Sequence, residues 1–263
     1  MDKVNSILKY ISFRRKAVSK YKIHSPFVYD FIINVLEDKK EYPEYSILDA
    51  LRDGYYQNRM PVEVIDFGAV AGRNKYESYY RNVSDIAKKS GQRRKYTHLL
   101  FRILRYFQPD RILELGTSLG LSTSSFSLAR PQAVIDTIEG CSGVASLAKE
   151  NFEKNNFNNI QIHIGSFEKI LPDLLKGLGT LDFVYFDGNH RKSATLDYFQ
   201  QCLQKVNNDT IFVFDDIYWS KGMTGAWEEI KSHQQVSVSI DLFQLGIVFF
   251  RKESAKQDFI LKY

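Results

Sequence analysis

From residue 111 onward, the sequence alternates short β-rich runs with longer helical stretches. Five runs are rich in branched and aromatic residues, and they cover 111–116, 133–140, 160–165, 181–188 and 210–216. Candidate helices lie between them, near 120–129, 142–155, 166–176 and 191–206. This alternation is typical of βαβ units, in which helices cover both faces of a parallel sheet. The chain is therefore predicted to be a doubly wound α/β protein.

Two more runs, 236–243 and 245–252, are close enough to form a terminal hairpin around residues 242–245. They raise the predicted number of strands to seven. The first 110 residues are predicted to be mainly helical, with Ser25-Pro26 as a helix start. Within them, 62–72 is predicted to be a short extended piece, and the polar segment 73–92 is a candidate lid. We expect a cap over 1–92 and a sheet-bearing domain over 93–263.

Composition and charge narrow the class of protein. The 263 residues are 44% hydrophobic and contain no uninterrupted apolar stretch of about 18 residues, so no membrane span is expected. The first residues lack a secretory signal pattern, which favours a cytoplasmic location. Residues 1–110 hold 21 Lys/Arg against 13 Asp/Glu, a balance that suits solvated surface or an anionic partner such as RNA. Residues 4–13 fit an amphipathic helix, which we expect to pack on the chain's own core rather than on a membrane.

Candidate site residues follow the predicted strands, because ligands of open parallel sheets bind beyond the carboxyl ends of the strands. The first run leads into a turn from Gly116 to Gly120, where glycines allow close backbone approach and helix amides can hold an anion. Its spacing differs from the dinucleotide fingerprint and from a Walker A loop. Glu139 ends the second run and suits a ribose, while Gly165-Ser166 after the third suits an adenine edge.

Acidic residues follow the fourth and fifth runs. The fourth leads into Asp187-Gly-Asn-His190, and the fifth ends in Asp215-Asp216. Carboxylates at adjacent strand ends can hold a hard cation that orients a hydroxyl and lowers its pKa. Alternatively, a neutral His190 can take the proton directly. The acids also suit helix capping, so the residues leave metal binding open.

Residues 95–251 resemble the class I S-adenosylmethionine-dependent methyltransferases. ILELGTSLGLSTS is similar to their first motif, IDTIEG to their ribose-binding strand and IGSFEKIL to their adenine-side loop. The similarity is greatest to small O-methyltransferases of the catechol and caffeoyl-CoA type and to a related group with DGxH after the fourth strand. The resemblance implies a Rossmann-like, seven-stranded, mostly parallel sheet with a reversed last strand. It also makes 93–263 the S-adenosylmethionine-binding domain, behind the helical N-terminal cap.

The resemblance also implies roles for single residues. The amino acid end of the cofactor would be surrounded by Glu114, Gly116, Thr117, Ser118, Gly120 and Ser122. Glu139 would bind the ribose, and Ser166 with Phe167 would flank the adenine. Mg²⁺ or another divalent cation would be held by Asp187, Asp215 and Asp216. The catalytic candidates, taken from the residues themselves, are Asp187 and His190. In the catechol-type enzymes the third ligand is commonly asparagine and the base is a lysine, and this sequence matches neither.

The predicted function is methyl transfer from S-adenosylmethionine to an oxygen of a small molecule, with or without a divalent metal. One alternative is an RNA or protein methyltransferase of the same fold, and another is a non-catalytic cofactor-binding or interaction protein. A nicotinamide-dependent dehydrogenase is disfavoured by the glycine spacing. The sequence does not identify the acceptor. It leaves the oligomeric state open as well, although similar enzymes are commonly homodimers.

Overall fold

The computed structural model describes residues 3–66 and 77–263. Its elements before residue 111 are α1 (Lys3–Lys16), α2 (Pro26–Phe31), α3 (Pro43–Gln57), β1 (Pro61–Asp66), β2 (Glu77–Asn82), α4 (Val83–Ser90) and α5 (Arg94–Phe107). Those that follow are β3 (Arg111–Leu115), α6 (Leu121–Ala129), β4 (Val134–Glu139), α7 (Ser142–Lys154), β5 (Ile160–Ile164), α8 (Phe167–Gly177), β6 (Leu181–Phe186), α9 (Lys192–Cys202), β7 (Val206–Asp215), α10 (Lys221–Ser232), β8 (Val238–Asp241), β9 (Leu245–Phe249) and β10 (Gln257–Ile260). The predicted alternation from residue 111 and the α/β fold class are confirmed.

Short helical pieces complete the chain. They are 3₁₀ turns at Lys20–Lys22 and Leu203–Lys205 and a π-helical stretch at Ile32–Leu36. The predicted start at Ser25-Pro26 is confirmed, because the Ser25 hydroxyl accepts a hydrogen bond from the amide of Val28 at the first turn of α2. Within the described residues, no helix is long and apolar enough to cross a membrane.

The chain divides into two compact units, Met1–Ile33 with Leu175–Tyr263, and Asn34–Leu174. We call the first the terminal unit and the second the central unit. The predicted boundary between residues 92 and 93 falls in the connection between α4 and α5, inside the central unit. The division into a cap of 1–92 and a methyltransferase domain of 93–263 therefore stays a prediction.

The sheet of the central unit is built from β3, β4 and β5, which pair in parallel with β4 in the middle. Leu115 at the end of β3 is paired with Ile138 on β4, and Glu139 is paired with Ile164 on β5. The three strands therefore end side by side. Helix α5 packs on α6, and its buried face includes Leu99, Leu100, Ile103 and Leu104.

The terminal unit carries five strands in the order β10-β8-β9-β7-β6. Strands β6 and β7 are parallel, whereas β9 runs antiparallel to both β7 and β8. The predicted reversed strand and its terminal hairpin are thus confirmed. Strand β10 pairs in parallel with β8 and was not predicted, so eight strands follow residue 110 instead of seven. Strand β10 has only four residues, QDFI, of which two are polar. It lacks the alternation of polar and apolar residues that identifies a strand in sequence.

In the polar segment 73–92, residues 77–90 form β2 and α4, and residues 73–76 lie outside the described residues. That this segment acts as a lid stays a prediction. Strand β2 pairs antiparallel with β1, which confirms residues 62–66 of the predicted extended piece 62–72. Residues 67–72 lie outside the described residues. Helix α4 has a buried apolar side. Its residues Val83 and Ile86 pack in one cluster with Val62 of β1 and with Leu119. Leu119 belongs to the turn after β3. The hairpin and α4 therefore pack onto the segment that the sequence predicts to bind a cofactor.

Strand β1 also lies tightly against the start of α7. A Cβ atom at Gly143 would come within 2.8 Å of the Glu63 carbonyl oxygen and 3.1 Å of a Val62 methyl carbon. The Cys141 thiol donates a hydrogen bond to the same Glu63 oxygen at 3.1 Å. Glycine at position 143 therefore permits the contact between β1 and α7.

We expect Gly143→Ala to lower the free energy of unfolding by about 1–3 kcal/mol, because the methyl group would force β1 away from α7. Gly54→Ala is the matched control. It lies inside α3 with no heavy atom within 4 Å of the added carbon, and should stabilise the protein by about 0.5–1 kcal/mol. Urea unfolding of both variants measures the difference. Equal stabilisation by the two substitutions would contradict the proposed contact.

Candidate functional site

The turn from Gly116 to Gly120 connects β3 to α6 through left-handed backbone conformations. Gly116, Ser118 and Gly120 have φ angles of 112°, 49° and 77°. At Gly120 a Cβ atom would also meet the Phe152 ring of α7 at 2.6 Å. Glycine is needed there for both reasons, since other residues rarely adopt this φ and none would fit beside the ring. The predicted glycine turn is present, with its backbone close to α7.

Glu114 of β3 lies beneath this turn and is completely buried. Its carboxylate accepts hydrogen bonds from the hydroxyls of Ser122 and Thr123 at 2.5 Å, and from that of Thr137 at 2.6 Å. The Thr117 hydroxyl joins the same network through Thr137, at 2.6 Å. Burial raises the pKa of Glu114 to about 7, and the three hydroxyl donors partly oppose this shift. Three predicted cofactor residues, Glu114, Thr117 and Ser122, therefore join Thr123 and Thr137 in a network that holds the turn, the start of α6 and β4 together.

Glu139, the predicted ribose ligand, ends β4 and is partly exposed. Its two carboxylate oxygens accept hydrogen bonds from the backbone amides of Ser118 at 2.8 Å and Cys141 at 2.9 Å. Desolvation raises the pKa of Glu139, and the backbone amides partly offset that effect. A carboxylate has about four acceptor positions, so Glu139 retains capacity for further hydrogen bonds.

Ser166 and Phe167, the predicted adenine-side residues, follow β5 at the start of α8. The amide of Gly165 donates to the carbonyl oxygen of Glu139 at 2.9 Å, which joins the ends of β4 and β5. Ser166 and Phe167 are half-buried. The predicted cofactor residues therefore all lie in the central unit, around the carboxyl ends of three adjacent parallel strands.

The acidic candidates lie in the terminal unit, after β6 and β7. Asp215 is buried, whereas Asp187 and Asp216 are partly exposed. The Nε2 atom of His190 is 3.9 Å from the nearer carboxylate oxygen of both Asp187 and Asp216. Burial lowers the pKa of His190, and the negative charge of Asp216 opposes that shift. The structure thus brings His190 between two of the predicted acids.

Gln244 is a member of this cluster that sequence reasoning missed. Its side-chain amide nitrogen donates to Asp215 at 3.1 Å and also to Asp216. The pairing of β7 with β9 accounts for this position, because Asp215 is the register partner of Leu245. The predicted hairpin at 242–245 indicated a turn after β8, but only the register shows that Gln244 meets the acids. Burial, followed by the charge of Asp216, raises the pKa of Asp215 to about 7.

The donor set around these acids does not fit a divalent cation. Such a cation needs oxygen ligands, whereas the group bridging Asp215 and Asp216 is a hydrogen-bond-donating amide nitrogen. Within residues 3–66 and 77–263, no group of three or more His, Cys, Asp or Glu side chains is arranged to hold a metal ion. The metal implied for Asp187, Asp215 and Asp216 gains no support from this arrangement.

Aromatic residues after β7 take two different positions. Trp227 and Met223 of α10 are buried, and a Cβ atom at Gly246 would meet the Trp227 ring at 2.6 Å. Trp219 is instead 52% exposed, and its ring centroid lies 6.4 Å from that of His190. Trp219 is thus an aromatic side chain available to contact a ligand near His190.

The buried Glu114 carboxylate should make stability depend on pH. Its pKa of about 7 in the folded state exceeds its usual value near 4.5, so its favourable contribution is fully present below pH 4.5 and is lost as pH rises through 7. Glu114→Gln removes this titration. The difference in free energy of unfolding between the unmodified protein and Glu114→Gln should shift by up to about 3 kcal/mol, against the unmodified protein, as the pH rises from 4.5 to above 7. Urea unfolding across this range measures it, with Glu153→Gln, an exposed glutamate, as control. A difference that does not change with pH would refute the shift.

Comparisons with known proteins agree with this geometry. Residues 113–217 match a protein family described as a methyltransferase domain, a segment that runs from β3 to just beyond β7. A search of curated protein sequences finds no match.

Solved structures share the fold. The SAH-bound methyltransferase PaMTH1 of Podospora anserina is 13% identical with a TM-score of 0.60, over 88% of this chain and 97% of that one. The O-methyltransferase TomG of Streptomyces achromogenes, in complex with SAM, is 19% identical with a TM-score of 0.55, over 89% and 99%. An O-methyltransferase of Bacillus cereus in complex with SAH is 16% identical with a TM-score of 0.54, over 85% and 97%. At these identities the likeness concerns the fold. Together with the family match over residues 113–217, it confirms the resemblance to the class I S-adenosylmethionine-dependent methyltransferases.

Proposed function

We propose that this chain is an S-adenosylmethionine-dependent methyltransferase that methylates an oxygen of a small molecule. The observation that carries the proposal is the succession of the Gly116–Gly120 turn, Glu139 and Ser166 after three adjacent parallel strands. Transfer to oxygen is supported by the names of the neighbours from S. achromogenes and B. cereus, both described as O-methyltransferases.

The central unit has the donors and acceptors that this cofactor needs. Glu139 is partly exposed, and its carboxylate, which accepts from backbone amides including those of Ser118 and Cys141, has about four acceptor positions and so retains capacity for ribose hydroxyls. Gly165, after β5, is half-buried and carries no side chain, so a ligand can approach the backbone closely there. Ser166 and Phe167 would flank the adenine. When bound, S-adenosylmethionine supplies a methyl group on a positively charged sulfur, which makes that carbon electrophilic.

The terminal unit provides a group that can hold the proton of an acceptor hydroxyl. His190 would take this proton at Nε2, which lies 3.9 Å from a carboxylate oxygen of both Asp187 and Asp216. The two negative charges would stabilise the resulting imidazolium. Gln244 keeps Asp215 and Asp216 together through its amide nitrogen. We assign no step to a metal, because the donor set does not fit one.

Cofactor binding should depend on the Glu139 carboxylate. We expect Glu139→Gln to raise the dissociation constant for S-adenosylmethionine at least about tenfold, because a neutral amide accepts ribose hydrogen bonds less strongly than a carboxylate. Isothermal titration calorimetry measures the effect. Glu153→Gln, which replaces an exposed glutamate of α7, is the control and should bind like the unmodified protein.

Titration with NAD tests the alternative of a nicotinamide-dependent dehydrogenase. We expect no heat of binding for NAD. A thermal unfolding curve shows whether Glu139→Gln remains folded, since the side chain also binds two backbone amides. If folded, unmodified protein fails to bind S-adenosylmethionine, the proposal is wrong.

Methyl transfer should depend on His190. With radiolabelled S-adenosylmethionine and a panel of hydroxyl-bearing aromatic and aliphatic molecules, we expect His190→Gln to lower kcat about 100-fold on the best acceptor. The affinity for S-adenosylmethionine should stay unchanged, because His190 is not among the proposed cofactor residues. His24→Gln, which replaces an exposed histidine, should keep full activity.

The same assay separates the remaining alternatives. Activity should survive a chelator within about twofold, whereas a large loss restored by Mg²⁺ would reinstate Asp187, Asp215 and Asp216 as ligands. Full activity of His190→Gln would remove the assigned proton acceptor. Cofactor binding without methyl transfer to small molecules, RNA or protein would favour the non-catalytic alternative.

A further inference from the structure

Helix α1 has an exposed face that combines aliphatic and basic side chains. Ile7, Leu8 and Ile11 are 58%, 60% and 42% exposed, and Arg14 and Arg15 in the next turn are also exposed. At 100° per residue these five positions lie on one side of the helix. We call them the α1 outer face. It presents three large aliphatic side chains to solvent, followed by two cations.

The opposite side of α1 explains how the helix is anchored. Phe13 is buried, and its ring centroid lies 5.3 Å from that of Phe243. Tyr10 contacts the same ring edge-on at 5.0 Å, and the Lys9 ammonium donates to the carbonyl oxygen of Tyr218 at 3.0 Å. Tyr10 and Phe13 thus make the contacts by which this helix packs on the chain's own core, as expected. This packing does not account for the α1 outer face.

The sequence that contains this face carries charges of one sign. Residues 3–29 contain seven Lys or Arg and no Asp or Glu. These basic residues are Lys3, Lys9, Arg14, Arg15, Lys16, Lys20 and Lys22. Beyond α1, Tyr21 is 84% exposed and Lys22 is also exposed. A partner of this region must therefore accept aliphatic side chains and also carry negative charge.

We infer that the α1 outer face binds the surface of an anionic lipid bilayer. Its aliphatic side chains would enter the boundary between headgroups and acyl chains, while Arg14 and Arg15 reach the phosphates. Helix α1 has 14 residues and is about 21 Å long, shorter than the ~30 Å hydrocarbon core, so it would lie along the surface. Such binding would place the enzyme beside acceptors dissolved in the membrane.

Two other partners fit the face less well. A second copy meeting it through a two-fold axis would bring the same basic residues of both chains together, and like charges repel. A nucleic acid would satisfy the cations, but its phosphates and base edges offer little to three exposed aliphatic side chains on one helix. Charge and apolar surface together favour the lipid.

Vesicle flotation with the full chain tests the inference. We expect binding to vesicles containing about one third phosphatidylglycerol in phosphatidylcholine, at least about tenfold stronger than to phosphatidylcholine alone, and weakened by salt. Ile7→Glu with Ile11→Glu should reduce binding at least about tenfold, as should Arg14→Glu with Arg15→Glu. Two matched controls replace exposed residues elsewhere and should bind normally. Ile47→Glu is the control for the aliphatic substitutions, and Lys88→Glu with Lys89→Glu is the control for the arginine substitutions.

Thermal unfolding and S-adenosylmethionine titration of each variant show that the fold is intact, because none of the substituted residues belongs to the proposed site. Absence of binding to the anionic vesicles would overturn the inference. Equal loss in the control variants would do the same. A dimer of the unmodified protein that Ile7→Glu with Ile11→Glu converts to monomer, by analytical ultracentrifugation, would assign the face to a second copy instead.

Discussion

The arrangement of the central unit depends on one buried carboxylate, that of Glu114. A buried charge without partners would be strongly unfavourable, and here three hydroxyls from α6 and β4 satisfy it. Because Glu114 lies on β3, before the glycine turn, and its donors lie on α6 and β4, after it, the network determines where the turn can lie. Thr117, within the turn, is joined to the same network. The residues that resemble a cofactor motif are thus also the residues that keep the motif in shape.

The hairpin of β1 and β2 and the helix α4 contribute to the same region from outside the sheet. Val83 and Ile86 share a buried cluster with Leu119 of the turn, and Gly143 allows β1 to approach α7. A segment that reads as a polar lid in sequence is therefore partly a packing layer beneath the proposed cofactor residues. Selectivity for the acceptor is commonly carried by loops and peripheral segments added to a common fold.

In the terminal unit, a neutral side chain holds acids that similar enzymes are expected to use for a metal. The amide nitrogen of Gln244 satisfies Asp215 and Asp216 by hydrogen bonding. A carboxylate pair bridged in this way needs no cation to be stable, although burial and mutual repulsion still raise the pKa of Asp215. Beside it, His190 has two carboxylates within reach and one exposed aromatic neighbour, Trp219.

Much of this was determined by the sequence itself. The alternation of β-rich runs and helical stretches from residue 111 predicted the α/β class, the strands β3 to β7 and the reversed hairpin. It could do so because strand and helix periodicities are local properties of the sequence. Gly116, Glu139 and Asp187 were located because the carboxyl ends of parallel strands meet at one edge of a sheet. Only the tertiary structure decided the rest. The strand β10, the packing of α4 on Leu119, the burial of Glu114 and the contact of Gln244 with two aspartates each depend on residues far apart in the chain. No local pattern encodes such pairings, because register and burial are set when separate elements pack together.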